Sequence, residues 1–138
     1  MSKLRCIVYF SSAIRLFTKD ELEVLLIDSR VFNKEHGVTG FLLYHDGSFM
    51  QCIEGADDDL SKVYKRITDS SQHQGIVKVL DQFINIRSFA DWAMGYSKLV
   101  QSEPLILKTV SWTESESGKN DSKGMHLLKY FFDNYNKP

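Results

Sequence analysis

An α+β fold, with a mixed sheet carrying two helices on one face, is predicted by three observations. Apolar runs of strand length alternate with helical periodicity in the order strand, helix, strand, strand, helix, strand, strand. His45-Asp46-Gly47 is a tight-turn signal that folds the second and third strands into a hairpin. Thr18-Lys19-Asp20-Glu21 is a capping box, which marks where the first strand gives way to a helix. Together they give a ferredoxin-like βαββαββ order, with the sheet's other face in need of cover.

Each element has its own signal. Residues 5–10 (RCIVYF) form a β-branched and aromatic run suited to a central strand. After Thr18 as N-cap, Leu22, Leu25, Leu26, Ser29 and Asn33 recur at helical spacing, and Gly37 ends the helix. Residues 38–44 and 48–53 are the hairpin strands. Asp57, Asp58 and Asp59 favour a helix N-terminus through their charge on the dipole, and Leu60, Val63, Tyr64 and Ile67 make that helix amphipathic. Residues 76–86 (IVKVLDQFINI) read as a fourth strand and residues 92–99 (WAMGYSKL) as a fifth.

Residues 1–100 therefore form the sheet domain and residues 101–138 a helical extension. In the extension, residues 105–110 read as a short helix, 111–123 as a polar connector and 125–135 as an aromatic-rich helix. Its stripe of Leu127, Leu128, Phe131, Phe132 and Tyr135 needs a partner, either the bare sheet face or a second subunit. The ~40 residues beyond the sheet are too few for an independent domain, so any output must act through self-association or a protein partner in trans.

The 138 residues suffice for one domain with a single core. A net charge of -1, with signs interspersed, leaves no electrostatic footprint for nucleic acid. No apolar stretch approaches the ~20 residues that span a bilayer, and the start lacks a signal-peptide pattern, so no membrane partner and a cytoplasmic location are expected. Cys6 and Cys52 lie inside apolar runs and read as small buried hydrophobes. His36, His45, His73 and His126 lack metal-ligand spacing, so no metal site is expected. Glu54 at a strand end and Asp46 in a turn read as solvated charges rather than paired catalytic acids.

One residue resists the apolar pattern. Gln51 sits between Phe49 and Ile53 on the face of a strand that should be buried, where an unpaired amide costs about 1–3 kcal/mol. Tyr9 has the matching parity on the first strand, which this fold places beside the third. Asn33 ends the inner stripe of the first helix. The three would make a hydrogen-bonding edge in a slot walled by Leu25 and Ile67 and floored by Phe49, suited to a flat heteroaromatic ligand. The ordinary alternatives are a Gln or Asn paired with backbone and a Tyr that is simply core.

Residues 7–11 (IVYFS), Asn33-Lys34, Gly37-Val38-Thr39-Gly40, residues 49–55 (FMQCIEG) and Trp92-Ala93-Met94 resemble the BLUF domain, the flavin-binding blue-light sensor. The resemblance covers roughly residues 3–99 and is similar to the short stand-alone members. It implies a non-covalent flavin, usually FAD with FMN or riboflavin as alternatives, between the two helices. It assigns Tyr9 and Gln51 to a photochemical hydrogen-bond switch and Asn33 to the ring edge. The implied binding set is Tyr9, Leu25, Ser29, Asn33, Phe49, Gln51, Ile67, His73 and Met94, with Trp92 and Met94 linking the flavin to the tail. Trp92 as a core aromatic and Met94 as a gap filler are the alternatives.

The chain departs from the pattern in two places. Phe32 stands where the family often has His or Asn, and Ser70-Ser71-Gln72-His73 stands where it commonly shows Asp-x-Arg-His. The expected function is a photoreceptor and not an enzyme, acting on a protein partner and as a homo-oligomer. Its rivals are a flavin oxidoreductase, disfavoured by the lack of a nicotinamide-type glycine fingerprint, and a flavin-free interaction module.

Overall fold

The computed structural model describes residues 3–45, 47–89 and 95–98. The elements are β1 (Leu4–Ala13), α1 (Lys19–Glu35), β2 (Thr39–His45), β3 (Ser48–Ala56), α2 (Asp57–Asp69), β4 (His73–Ile84) and β5 (Gly95–Lys98). They form one sheet in the order β4-β1-β3-β2-β5. β1 lies antiparallel between β3 and β4, β2 pairs antiparallel with β3, and β5 runs parallel to β2 at the edge. This is the expected ferredoxin-like arrangement with an added parallel strand.

Local chemistry sets the boundaries. The Thr18 N–H donates to Glu21 Oε1 (2.9 Å) and the Glu21 N–H donates to Thr18 Oγ1 (3.2 Å), so the capping box starts α1. Gly37 follows α1 with φ +64°, a left-handed conformation that glycine adopts without a Cβ penalty. α2 has no side-chain cap at Ala56; Asp57, Asp58 and Asp59 place negative charge in its first turn instead. Gly40 has a different reason to be glycine. A Cβ there would lie 2.1 Å from the carbonyl oxygen of Cys52 on the paired strand.

Strand limits shift from the sequence-based ones, and β3 continues past residue 53 to Ala56. β1 runs on through Ser11 and Ser12 to Ala13, because the hairpin continues to pair with it: Ser11 faces Phe49 and Ser12 faces Ser48. β4 begins at His73 rather than residue 76 and ends at Ile84 rather than 86, since Ala13 pairs with His73 and Leu4 with Ile84. Cross-strand partners override weak local propensity at such ends. Of the fifth strand, Trp92, Met94 and Leu99 lie outside the described residues, as do the expected helices between 105 and 135.

Apolar side chains divide by parity into two cores. Ile7, Leu22, Leu26, Leu42, Phe49, Ile53, Leu60 and Val63 pack between the sheet and its two helices. Cys6, Val8, Phe41, Leu43, Met50, Cys52 and Phe89 are buried on the opposite face. Glu54 corrects the sequence reading. Rather than being solvated at a strand end, it is 0% exposed on that second face. Its carboxylate accepts N–H bonds from Ser88 (2.9 and 3.0 Å) and Phe89 (2.9 Å), which offset part of the cost of burying it. Chain-local reasoning missed this because both donors come from a segment more than thirty positions away.

Candidate functional site

The β1–β3 register sets Tyr9 directly opposite Gln51. The Tyr9 hydroxyl donates to Gln51 Oε1, and the residues are only 3% and 5% exposed. The polar partner that a buried Gln51 requires is therefore a phenol on the neighbouring strand. Burial pushes the Tyr9 pKa well above the ordinary phenol value, with the neighbouring Tyr64 adding to it. Tyr9 consequently remains a neutral O–H donor throughout the working pH range. The ring of Tyr64 meets the ring of Tyr9 edge-on at 6.1 Å.

A cavity of about 340 Å³ opens beside this pair, at the small end of the ~300–1,000 Å³ usual for small-molecule sites. Leu42, Phe49, Gln51 and Tyr9 contribute from the sheet. Leu25, Asp28 and Ser29 line it from α1, Arg66 and Ile67 from α2, and Ser70, Ser71, Gln72 and His73 from the following turn and strand. His73 is braced at both nitrogens, with Nε2 2.8 Å from the Ile67 carbonyl oxygen and Nδ1 2.6 Å from Ser11 Oγ. A carbonyl only accepts, so Nε2 carries the proton and, in the neutral ring, the Ser11 hydroxyl donates to Nδ1.

Seven of the sequence-selected residues, Tyr9, Leu25, Ser29, Phe49, Gln51, Ile67 and His73, thus border one cavity. Asn33 is buried near the end of α1 but is not among the lining residues. Its backbone carbonyl accepts the N–H of Val38 at 2.9 Å and of His36 at 3.1 Å, joining α1 to the start of β2. Met94 and Trp92 lie outside the described residues.

Sequence reasoning missed Leu42, Asp28 and Arg66 as lining residues. Each had a signal. Leu42 pairs with Gln51 in the hairpin register, Asp28 lies one turn beyond Leu25, and Arg66 lies one turn before Ser70. The guanidinium of Arg66 sits 4.7 Å over the ring of Phe32, which in turn stacks on His36 at 4.3 Å.

The donor set suits a flavin. Gln51 offers a carbonyl and an NH2 to a heteroaromatic edge, Leu25 and Ile67 offer apolar contact from opposite helices, and the rim is polar where a hydroxylated chain would leave. Fold and cavity together define an α+β domain whose buried phenol–amide pair borders a cavity of ligand size. The chain belongs to the BLUF family: the family's sequence model, described as sensors of blue light using FAD, matches residues 4–95.

Among curated proteins, the photoactivated adenylate cyclase subunit beta of Euglena gracilis is 36% identical over 87 residues, covering 62% of this chain and 10% of that protein. The chain thus spans about a tenth of the cyclase's length. Among solved structures, BlrB, a BLUF protein in its dark state, is 31% identical with a TM-score of 0.67, covering 72% of this chain and 75% of that one. BlrP1 of Klebsiella pneumoniae, solved with FMN and cyclic diGMP, has a TM-score of 0.77 over 94% of this chain and 34% of its own; at 21% identity it shows the fold alone.

Proposed function

We propose that this domain holds a flavin non-covalently between α1 and α2 and converts blue light into a rearranged Tyr9–Gln51 hydrogen bond. The observation that carries the reading is the Tyr9 hydroxyl donating to Gln51 Oε1 beside an open cavity. A bound flavin supplies blue-light absorption and, when excited, oxidising power. Tyr9, held neutral by burial, is suited to give up an electron only together with its proton. Gln51 is suited to relay them, because an amide has an acceptor at one corner and a donor at the other. Reversal or tautomerisation of that amide exchanges the two at nearly constant volume, so recovery in the dark is thermal.

FAD is the flavin proposed, with Leu25, Ser29, Phe49, Ile67 and His73 around it, Asn33 at the ring edge and Met94 at the tail side. The signal passes along β3 to the opposite sheet face, with Trp92 or Met94 as relay. From there it reaches a protein partner, in a homo-oligomeric cytoplasmic protein.

A blue-light difference spectrum of the purified protein tests this. A small reversible red shift is expected, lost in Tyr9→Phe and Gln51→Leu while the yellow colour stays. A normal photocycle in either variant removes that residue from the switch. Protein that stays colourless with added flavin supports a flavin-free module instead, and steady NAD(P)H oxidation supports an oxidoreductase.

A further inference from the structure

Going beyond the flavin reading and independent of it, we propose that the solvent face of α1 pairs two copies of this chain, antiparallel about a two-fold axis at Ile27. α1 has two apolar faces. Leu22 and Leu26 are buried against the sheet, while on the opposite side of the helix Val24, Ile27 and Val31 are 60%, 57% and 56% exposed. Steps of three and four residues put these three in one row. The other helix on this sheet face behaves differently: every exposed residue of α2, from Asp58 to Asp69, is charged or hydroxylated. Three β-branched side chains in a solvated row also lower helix propensity, a cost that packing against another surface offsets.

Charge identifies the occupant. Asp20 closes the row at its N-terminal end and Lys34 at its C-terminal end, both exposed and each seven positions from Ile27. Neither forms an ion pair among the described residues. Turning a second copy by a half-rotation about Ile27 sets Asp20 of each copy beside Lys34 of the other, Val24 beside Val31, and Ile27 against itself. A parallel pair would instead oppose Asp20 to Asp20 and Lys34 to Lys34. From Asp20 to Lys34 the seam is about 21 Å long. Its flank of Glu21, Asp28 and Glu35 is acidic, and the two copies bring those flanks together. That repulsion, with an apolar area short of the ~1,200 Å² of stable interfaces, gives a weak dimer with a Kd on the order of 10–100 μM.

Sedimentation velocity of the full chain over roughly 1–500 μM tests this, since that range brackets the expected Kd. A monomer–dimer equilibrium is expected, and Ile27→Lys should raise its Kd about tenfold or more by setting like charges face to face. An unchanged urea midpoint in that variant reports that it is folded, because position 27 is exposed. Under mild oxidation Ile27→Cys should cross-link two copies, whereas Val24→Cys, about 9 Å from its own copy, should not. The native Cys6 and Cys52 are buried and do not compete. A chain that stays monomeric throughout, a dimer untouched by Ile27→Lys, or Val24→Cys cross-linking as fast as Ile27→Cys overturns the proposal. A colourless dimer that Ile27→Lys dissolves supports the interface and overturns the flavin reading; yellow protein that never dimerises does the reverse.

Discussion

On the helix-covered face, β1 and β3 bury a phenol and an amide beside a cavity; on the other face the same strands bury two thiols, a carboxylate and hydrocarbon. Gln51 on the first face is flanked in sequence by Met50 and Cys52 on the second. One peptide unit therefore separates the cavity side from the packed side. The thiols show how different the two environments are. Cys6 Sγ and Cys52 Sγ lie 3.5 Å apart, and their mutual hydrogen bond together with burial raises the Cys52 pKa well above the usual thiol value. These are inert packing groups, turned away from the cavity. The helix-covered face leaves a cavity beside its polar pair, whereas the other face is packed throughout its buried cluster.

The sharpest way to break this comparison is to cut equivalent rings from each face. Phe41→Ala, at a fully buried position with its ring 5.7 Å from that of Phe89, should cost about 3–5 kcal/mol in urea unfolding and leave flavin affinity unchanged. Phe49→Ala, beside the cavity, should cost less and weaken flavin binding. Equal losses from both would show that the faces are not energetically distinct.

Glu54→Leu is the next test, because it strips the acceptor from the N–H groups of Ser88 and Phe89. A loss of about 2–3 kcal/mol is expected from unfolding curves near neutral pH. Burial, partly offset by the Ser88 and Phe89 N–H groups, raises the Glu54 pKa above its ordinary 4.5. The folded state thus holds this proton more tightly than the unfolded chain. Its contribution to stability should fall as pH rises from about 4.5 through the raised folded pKa, and the leucine variant should lack that slope.

Tyr9→Phe should cost only about 1 kcal/mol, since it removes one buried hydrogen bond while the ring stays in place. Loss of the light-induced shift at so small a structural cost would separate signalling from folding. The smallest effect belongs to the sheet edge, where hydrogen bonds from Arg5 lower the Asp81 pKa to about 2. That pair stabilises the fold above pH ~4 and is lost as pH falls from 3.8 toward 2, in the sense opposite to Glu54. Asp81→Asn should remove this acid-side slope and, given solvent screening, about 0.5–1 kcal/mol at neutral pH.

Alternation, capping chemistry and turn residues are local, and so the chain itself determined the element order, the Thr18 capping box, the hairpin and the shared parity of Tyr9 with Gln51. The same parity put Cys6 and Cys52 on the far face. Only the tertiary structure decided what those local signals left open: that Glu54 would be buried and bonded to Ser88 and Phe89, that β4 would begin at His73, and that Arg66 and Asp28 would line one cavity. These outcomes depend on partners distant in sequence, and on the angle at which two helices cross a sheet. A hydrophobic pattern says which face of an element is buried; it does not say which polar neighbour will be waiting there.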